Sequence, residues 1–153
     1  SELDLDVVLP PDGPRSIRLR GRVDWLSADP DGRVVVTDFK TGSTPPTKAA
    51  AEEHVQLAVY QLAIALGGLS VAVPTSMTRL GGAELVYLST GKPVLRSQRA
   101  QDDQSREHWI GELRRVAAGA AGSTYVARQG DYCARCPVRT ACPIQPEGRQ
   151  VTR

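Results

Sequence analysis

The sequence predicts a single α/β or α+β domain in which a central mixed β-sheet is flanked by helices. The main observation is the order of the apolar patterns: strands, helix, strands, helix. The 153 residues suffice for one hydrophobic core, and 41% apolar with 24% charged residues is ordinary for a globular protein. No apolar run is long enough to predict a transmembrane helix, and a net charge of +2 is too small to indicate nucleic-acid binding by itself.

The first forty residues are predicted to form three strands. Residues 3–9 alternate leucine and valine with aspartate, as a half-buried strand does. Residues 16–27 continue as a second strand, and a turn containing proline and glycine follows at 29–32. The valine-rich run 33–40 is predicted to be a central strand. The polar face of the second strand carries Arg18, Arg20, Arg22 and Asp24.

The remaining elements are two helices and a hairpin. Residues 49–66 have apolar side chains at helical spacing and end at two glycines, so they predict a helix. Residues 83–89 and 92–98 predict a hairpin, whereas residues 67–82 are ambiguous. A second helix is predicted over 102–120. Its apolar stripe consists of Trp109, Leu113, Val116 and Ala120.

The domain organisation follows from composition. Residues 1–121 are predicted to form the core of the domain, and residues 122–153 a cysteine-rich tail that belongs to it. No helix precedes the first strand, so we expect the second face of the sheet to be uncovered and the chain to lack an N-terminal helix.

Three charged residues lie where a strand usually carries apolar side chains. Asp38 and Lys40 point to the same side of their strand, and Asp24 lies on the neighbouring antiparallel strand. Two close carboxylates repel each other, and a cation that takes oxygen ligands, Mg²⁺ or Mn²⁺, would remove that conflict. Lys40 would then orient or polarise a water for phosphodiester hydrolysis. The alternative is a salt bridge that performs no chemistry.

The first predicted helix carries two polar residues beside its apolar stripe. Gln56 and Tyr60 are four residues apart and therefore share a helical face. The alternative is a surface glutamine and a tyrosine at the edge of the core. His54 and His108 are interpreted as ordinary surface or helix-face histidines.

The segments GRVD (21–24), DFKTG (38–42) and QLAVY (56–60) occur in this order. Together they resemble the RecB-type branch of the PD-(D/E)xK nuclease superfamily, over roughly residues 15–66. The resemblance implies a restriction-endonuclease-like core and a further metal ligand from a helix before the first strand. The implied metal ligands are Asp24, Asp38 and the backbone carbonyl of Phe39. Lys40 would be the catalytic lysine, supported together with the DNA backbone by Gln56 and Tyr60.

Three cysteines form the pattern C-x2-C-x5-C: Cys133, Cys136 and Cys142. In a cytosolic protein this cluster indicates metal or cluster ligation rather than disulfides, with three free thiols as the alternative. Zinc needs four ligands, and no fourth cysteine or nearby histidine is available. The tail resembles the iron–sulfur tail of AddB-like and Cas4-like nucleases, which implies a [4Fe–4S] cluster whose fourth cysteine lies outside this chain.

The ending CPIQPEGRQVTR and the arginine and alanine richness most resemble the actinobacterial AdnAB-type helicase–nucleases. This resemblance implies a cytoplasmic, nucleoid-associated exonuclease that acts on single-stranded DNA or duplex ends. It also implies a helicase motor in the same polypeptide, a second helicase–nuclease subunit, and a role in end resection during double-strand-break repair and recombination. The alternatives are a free-standing Cas4-like exonuclease and a non-catalytic DNA-end-binding module of the same fold.

Overall fold

The structure, a computed structural model, describes residues 2–10, 12, 16–69, 79–123, 126–146 and 148. Its elements follow the predicted order. The strands are β1 (Leu3–Val8), β2 (Arg18–Val23), β3 (Trp25–Ala28), β4 (Val34–Lys40), β5 (Leu80–Tyr87) and β6 (Val94–Gln98). The α-helices are α1 (Lys48–Glu52), α2 (Val55–Ala65) and α3 (Asp103–Ala120). Most of the ambiguous segment, residues 70–78, lies outside the described residues.

The described strands form two sheets. β1 and β2 pair antiparallel, from Leu3 opposite Val23 to Val8 opposite Arg18. The other sheet has the order β3-β4-β5-β6, in which β4 and β5 are parallel and the outer pairs are antiparallel. Parallel neighbours need a long crossover connection, and α1 and α2 lie in it. The predicted mixed sheet flanked by helices is therefore confirmed, with β4 at its centre.

The core lies between α2 and one face of the sheets. Side chains from β1, β2, β4, β5 and α2 form it, because each of these elements turns its apolar face to the same layer. Its buried members are Leu5, Val23, Val34, Val36, Leu57, Ala63, Ile64, Ala83 and Leu85. On the opposite face of the four-stranded sheet, Trp25, Phe39 and Leu95 are 44–52% exposed, whereas Thr37 is 4% exposed.

The prediction of one strand over residues 16–27 was wrong. The chain leaves the two-stranded sheet after Val23 and joins the four-stranded sheet at Trp25, so Asp24 lies at a break between β2 and β3. The side chain of Asp24 accepts a hydrogen bond from the backbone N–H of Phe39 at 2.8 Å. The Asp24 carboxylate thus takes the place of a backbone carbonyl of a neighbouring strand as the acceptor for the Phe39 N–H. The alternation of apolar residues does not predict such a bond between a side chain and the backbone.

The prediction of one helix over residues 49–66 was also wrong. The helix is interrupted after Glu52, and α2 begins at Val55. His54, between them, has an extended backbone with φ −73° and ψ 112°. Gln98, a residue of β6, donates hydrogen bonds to the carbonyl groups of Glu52 and His54 at the break. Because Gln98 is far away in the sequence, the local pattern does not predict the break.

The predicted apolar stripe of α3 is not buried. None of the helix's side chains falls in the buried class, and Val116 is 59% exposed. An amphipathic pattern indicates which face of a helix would be buried, but burial also requires a partner surface.

The chain divides into two compact units, Ser1–Arg115 and Val116–Arg153. In the second unit, short 3₁₀ helices at Asp131–Arg135 and Arg139–Ala141 hold the cysteine segment, and the three cysteines are free, partly exposed thiols. The predicted division of the domain at residue 121 stays a prediction. None of the helices described is long and apolar enough to cross a membrane.

Candidate active site

Asp38 and Lys40 lie at the carboxyl end of β4, on the face that α2 covers. Asp38 is only 4% exposed although it is charged, because β4 is central and has a strand on each side. Its Oδ2 atom lies 2.6 Å from Lys40 Nζ. The contact lacks the angles of a hydrogen bond, and Oδ2 accepts none from the described residues. A buried charge needs compensation, so Lys40 offsets this carboxylate while leaving its oxygen able to bind a cation.

Asp24 is held beside the same strand. Its hydrogen bond to the Phe39 N–H places its carboxylate against the peptide that joins Asp38 to Phe39. Phe39 itself points to the opposite face and is 44% exposed. The sequence predicts that Asp24 lies close to Asp38 because their strands pair. In the structure, the hydrogen bond from the Phe39 N–H to the Asp24 side chain brings the two residues together.

Gln56 and Tyr60 extend the chain of contacts from Lys40. Lys40 Nζ donates to Gln56 Oε1 at 2.7 Å, and Gln56 Nε2 donates to Tyr60 Oη at 2.8 Å. A lysine offers only donors, so it must meet the oxygen of the amide and leave the nitrogen for tyrosine. The structure therefore contains the ion pair of the non-catalytic alternative, and it joins that pair to both predicted helix residues.

The hydroxyl of Tyr60 is held in its neutral form. Burial raises the pKa of Tyr60 above its ordinary value of 10.0, and the carboxylates of Asp38 and Asp24 raise it further, against the lowering effect of Gln56. Because Tyr60 Oη accepts from Gln56, its own O–H remains available to donate to an acceptor, such as a phosphate oxygen.

His54 lies nearer to the site than the sequence suggested. It is not on a helix face but at the break before α2, and its Nδ1 atom is buried without a hydrogen-bond partner among the described residues. Burial lowers the pKa of His54 below 6.5, and Lys40 lowers it further while Asp38 raises it. The one signal in the sequence was its place two residues before Gln56. His108 is exposed and contacts Trp109 edge-on at 5.4 Å, as expected for a surface histidine.

The donor atoms suit a hard divalent cation. Asp24 and Asp38 offer carboxylate oxygens, and Phe39, which directly follows Asp38, offers a backbone carbonyl. Oxygen ligands of this kind suit Mg²⁺ or Mn²⁺. The buried Asp38 Oδ2 without a hydrogen bond fits this role. Within the described residues, no three or more His, Cys, Asp or Glu side chains come together as a metal-binding group.

The solved structure of a protein named SSO0001 has a TM-score of 0.44 and 13% sequence identity, over 94% of this chain. The chain spans 59% of the length of that structure. No curated protein sequence matches the chain.

The sequence profile described as the PD-(D/E)XK nuclease superfamily matches residues 1–143. The match includes both aspartates, the lysine and the two helix residues whose contacts are described above. Members of this superfamily are metal-dependent nucleases. The chain belongs to the PD-(D/E)XK nuclease superfamily.

Proposed function

We propose that this chain is the nuclease domain of a helicase–nuclease and degrades single-stranded DNA from an end, with Mg²⁺ or Mn²⁺ as cofactor. The observation that carries the proposal is the position of Lys40 Nζ, 2.6 Å from Asp38 Oδ2 and 2.7 Å from Gln56 Oε1. This arrangement holds an ammonium group beside the carboxylate of Asp38, while Asp24 accepts a hydrogen bond from the N–H of Phe39, the next residue.

Each residue has a distinct role in the proposed reaction. Asp24, Asp38 and the carbonyl of Phe39 would hold the divalent ion, which supplies a Lewis acid and lowers the pKa of bound water. Lys40 would orient the attacking water and offset negative charge on the phosphate. Gln56 fixes the position of the ammonium group. The neutral O–H of Tyr60 would donate to a phosphate oxygen of the DNA backbone.

The proposed biological setting is resection of DNA ends during double-strand-break repair and recombination. A helicase motor in the same polypeptide would feed a single strand to the site, and a second helicase–nuclease subunit would act on the other strand. The support is the resemblance of the three motifs to the RecB-type branch of the superfamily. The cysteine tail resembles that of AddB-like enzymes, and the tail and the ending resemble those of AdnAB-type helicase–nucleases.

The three cysteines are proposed to supply three ligands of a structural [4Fe–4S] cluster. Their thiols are free, and the Gly130 N–H donates to Cys133 Sγ at 3.3 Å, a bond that also suits a thiolate. The described residues do not group these sulfurs as a metal site, so the support is the donor chemistry and the C-x2-C-x5-C spacing. The cluster would hold the tail and take no part in hydrolysis.

A comparison of linear and circular substrates tests the proposed reaction. The polypeptide that contains these residues would be incubated with linear single-stranded DNA, circular single-stranded DNA, blunt duplex DNA and single-stranded RNA, with Mg²⁺, Mn²⁺ or EDTA. We expect degradation of the linear DNA strand with either metal and none in EDTA. The circular strand should survive, because it has no end. Cleavage in EDTA, cleavage of the circle at the same rate, or a preference for RNA would contradict the proposal.

A further inference from the structure

The break between α1 and α2 exposes backbone carbonyl groups next to the candidate site. α1 ends at Glu52, and the extended backbone of His54 prevents the helix from continuing. α2 then begins, and Gln56 lies in its first turn. The position of this break along the chain therefore determines where Gln56 meets Lys40.

The side chain of Gln98, the last residue of β6, binds the break directly. Its Nε2 atom lies 2.8 Å from the carbonyl oxygen of Glu52, 3.2 Å from that of His54 and 3.3 Å from that of Ala51. An amide has two N–H groups, so these three acceptors share two donors. Gln98 is 5% exposed, and solvent therefore offers no equivalent partner.

Two further buried amides fix Gln98 in turn. Gln61 Nε2, in α2, donates to Gln98 Oε1 at 2.9 Å and to the Arg99 carbonyl at 3.1 Å. Gln61 Oε1 accepts from the Gln101 N–H at 3.1 Å, and Gln101 Nε2 donates to the Ala58 carbonyl at 2.9 Å. Gln61 is fully buried and Gln101 is 8% exposed. The end of β6 is thus tied to both the break and the body of α2.

We infer that Gln98 is a positioning residue, which sets the register of the first turn of α2 and thereby holds Gln56 against Lys40. Apolar contacts of α2 are non-directional and tolerate small sliding, whereas hydrogen bonds weaken steeply when distance or angle changes. A displacement of about 1 Å at a catalytic group can lower a rate a hundredfold. The inference rests on the proposed function for its effect on catalysis.

The test compares Gln98→Met with Thr37→Val in the polypeptide that contains these residues. Methionine keeps the length of the side chain but donates no hydrogen bond. Thr37→Val is the matched control, because it removes a hydrogen bond of 2.8 Å between the buried Thr37 and Glu84 from the other face of the same sheet. We expect Gln98→Met to lower kcat by about 10- to 100-fold and change KM less than about threefold. Thr37→Val should keep kcat within about twofold, even at a similar loss of thermal stability.

A double-mutant cycle shows whether Gln98 acts through Gln56. In a chain that already carries Gln56→Ala, Gln98→Met should lower kcat by less than about twofold more. Equal losses in both backgrounds, or an unchanged kcat in the single variant, would overturn the inference. If Gln98→Met does not fold, Gln98→Asn replaces it, since it keeps the amide but withdraws it by one methylene.

A measurement without catalysis separates this inference from the proposed function. If the unmodified polypeptide that contains these residues does not cleave DNA with Mg²⁺, the proposed function fails. The NMR signals of the Gln56 side-chain amide then provide the readout. They should move in Gln98→Met and stay in place in Thr37→Val. Unmoved Gln56 signals in Gln98→Met would overturn the positioning role whether or not the chain is active.

Discussion

The ammonium group of Lys40 is held from two sides, by the carboxylate of Asp38 and by the amide oxygen of Gln56. A lysine side chain has many rotamers, and fixing one of them costs about 2 kcal/mol of conformational entropy. The two contacts offset part of this cost before a substrate arrives. Preorganisation of this kind is what a positioned water or phosphate requires.

Tyr60→Phe tests the hydroxyl at the far end of this chain of contacts. The variant removes only the oxygen that accepts from Gln56 and whose O–H can donate to phosphate. We expect the rate of DNA cleavage to fall by about 10- to 1,000-fold, in the range of a lost positioning group, with little change in thermal stability. Tyr132→Phe, at an 84% exposed position, is the control and should cleave normally. An unchanged rate in Tyr60→Phe would make Tyr60 a residue of the core edge.

His54 should make the stability of the fold depend on pH. Because the fold lowers the pKa of His54 below 6.5, the unfolded chain binds a proton more readily than the folded chain does. The stabilising contribution is therefore complete above pH 6.5 and is lost as the pH falls from 6.5 through the lowered value. Urea unfolding at about pH 7.5 and about pH 5.5 measures it.

The variants His54→Gln and His108→Gln separate this effect from other titrations. His54→Gln should lose less stability between the two pH values than the unmodified chain does. His108→Gln substitutes the exposed histidine and should retain the full loss. An identical pH dependence in His54→Gln and the unmodified chain would show that the fold does not disfavour a charged His54.

Among the elements, α2 contributes both to the core and to the candidate site through adjacent residues. Leu57 packs in the core, and Gln56 accepts a hydrogen bond from Lys40. Leu57 is fully buried in the core, whereas Val55, two residues earlier, is 59% exposed. Leu57→Ala should lower the free energy of unfolding by about 2–5 kcal/mol, because it deletes buried apolar atoms and leaves a cavity. Val55→Ala should change it by less than about 0.5 kcal/mol. Urea titrations give both values, and equal effects would contradict the orientation of α2.

The elements also show which parts of the site were predictable. Alternation along β4 places Asp38 and Lys40 on one face, and the helical repeat places Gln56 beside Tyr60; both are local rules. The breaks at Asp24 and His54 were not predictable, because each is fixed by a partner far along the chain. Phe39 N–H binds Asp24, and Gln98 binds the carbonyl of His54 from 44 residues away. The same long-range contact explains why the sequence pattern predicts His54 on a helix, whereas it lies at the break before α2.

At the scale of the whole molecule, the proposed iron–sulfur cluster of the cysteine tail can be tested by spectroscopy. The polypeptide that contains these residues, purified without oxygen, should be brown and absorb at about 400 nm, as iron–thiolate clusters do. Cys136→Ser should remove the colour, and Thr140→Ala, an exposed neighbour in the same tail, should keep it. Iron and sulfide analysis provides the second readout. A colourless protein with stoichiometric zinc would replace the iron–sulfur proposal with a zinc site.

The candidate site includes the carboxyl end of β4, where Asp38 and Lys40 lie. Asp38 is buried at the centre of the sheet, and its charge is compensated by Lys40. Glu84, on β5, is a carboxylate on the opposite face, where it accepts from Thr37 at 2.8 Å. Asp38→Asn and Glu84→Gln can therefore be compared directly. Both variants change an acid to its amide in the same sheet, and they differ in the face of the sheet that is altered.

The rate at which Asp38→Asn degrades end-labelled linear single-stranded DNA in Mg²⁺, beside Glu84→Gln and the unmodified chain, tests the central claim most directly. Asparagine keeps the size of the side chain but removes the negative charge that would hold the metal ion. We predict a loss of at least about a thousandfold in Asp38→Asn, with DNA binding largely retained, and a loss of less than about threefold in Glu84→Gln. Asp38→Asn activity within about tenfold of the unmodified chain would contradict a metal-dependent site at the end of β4.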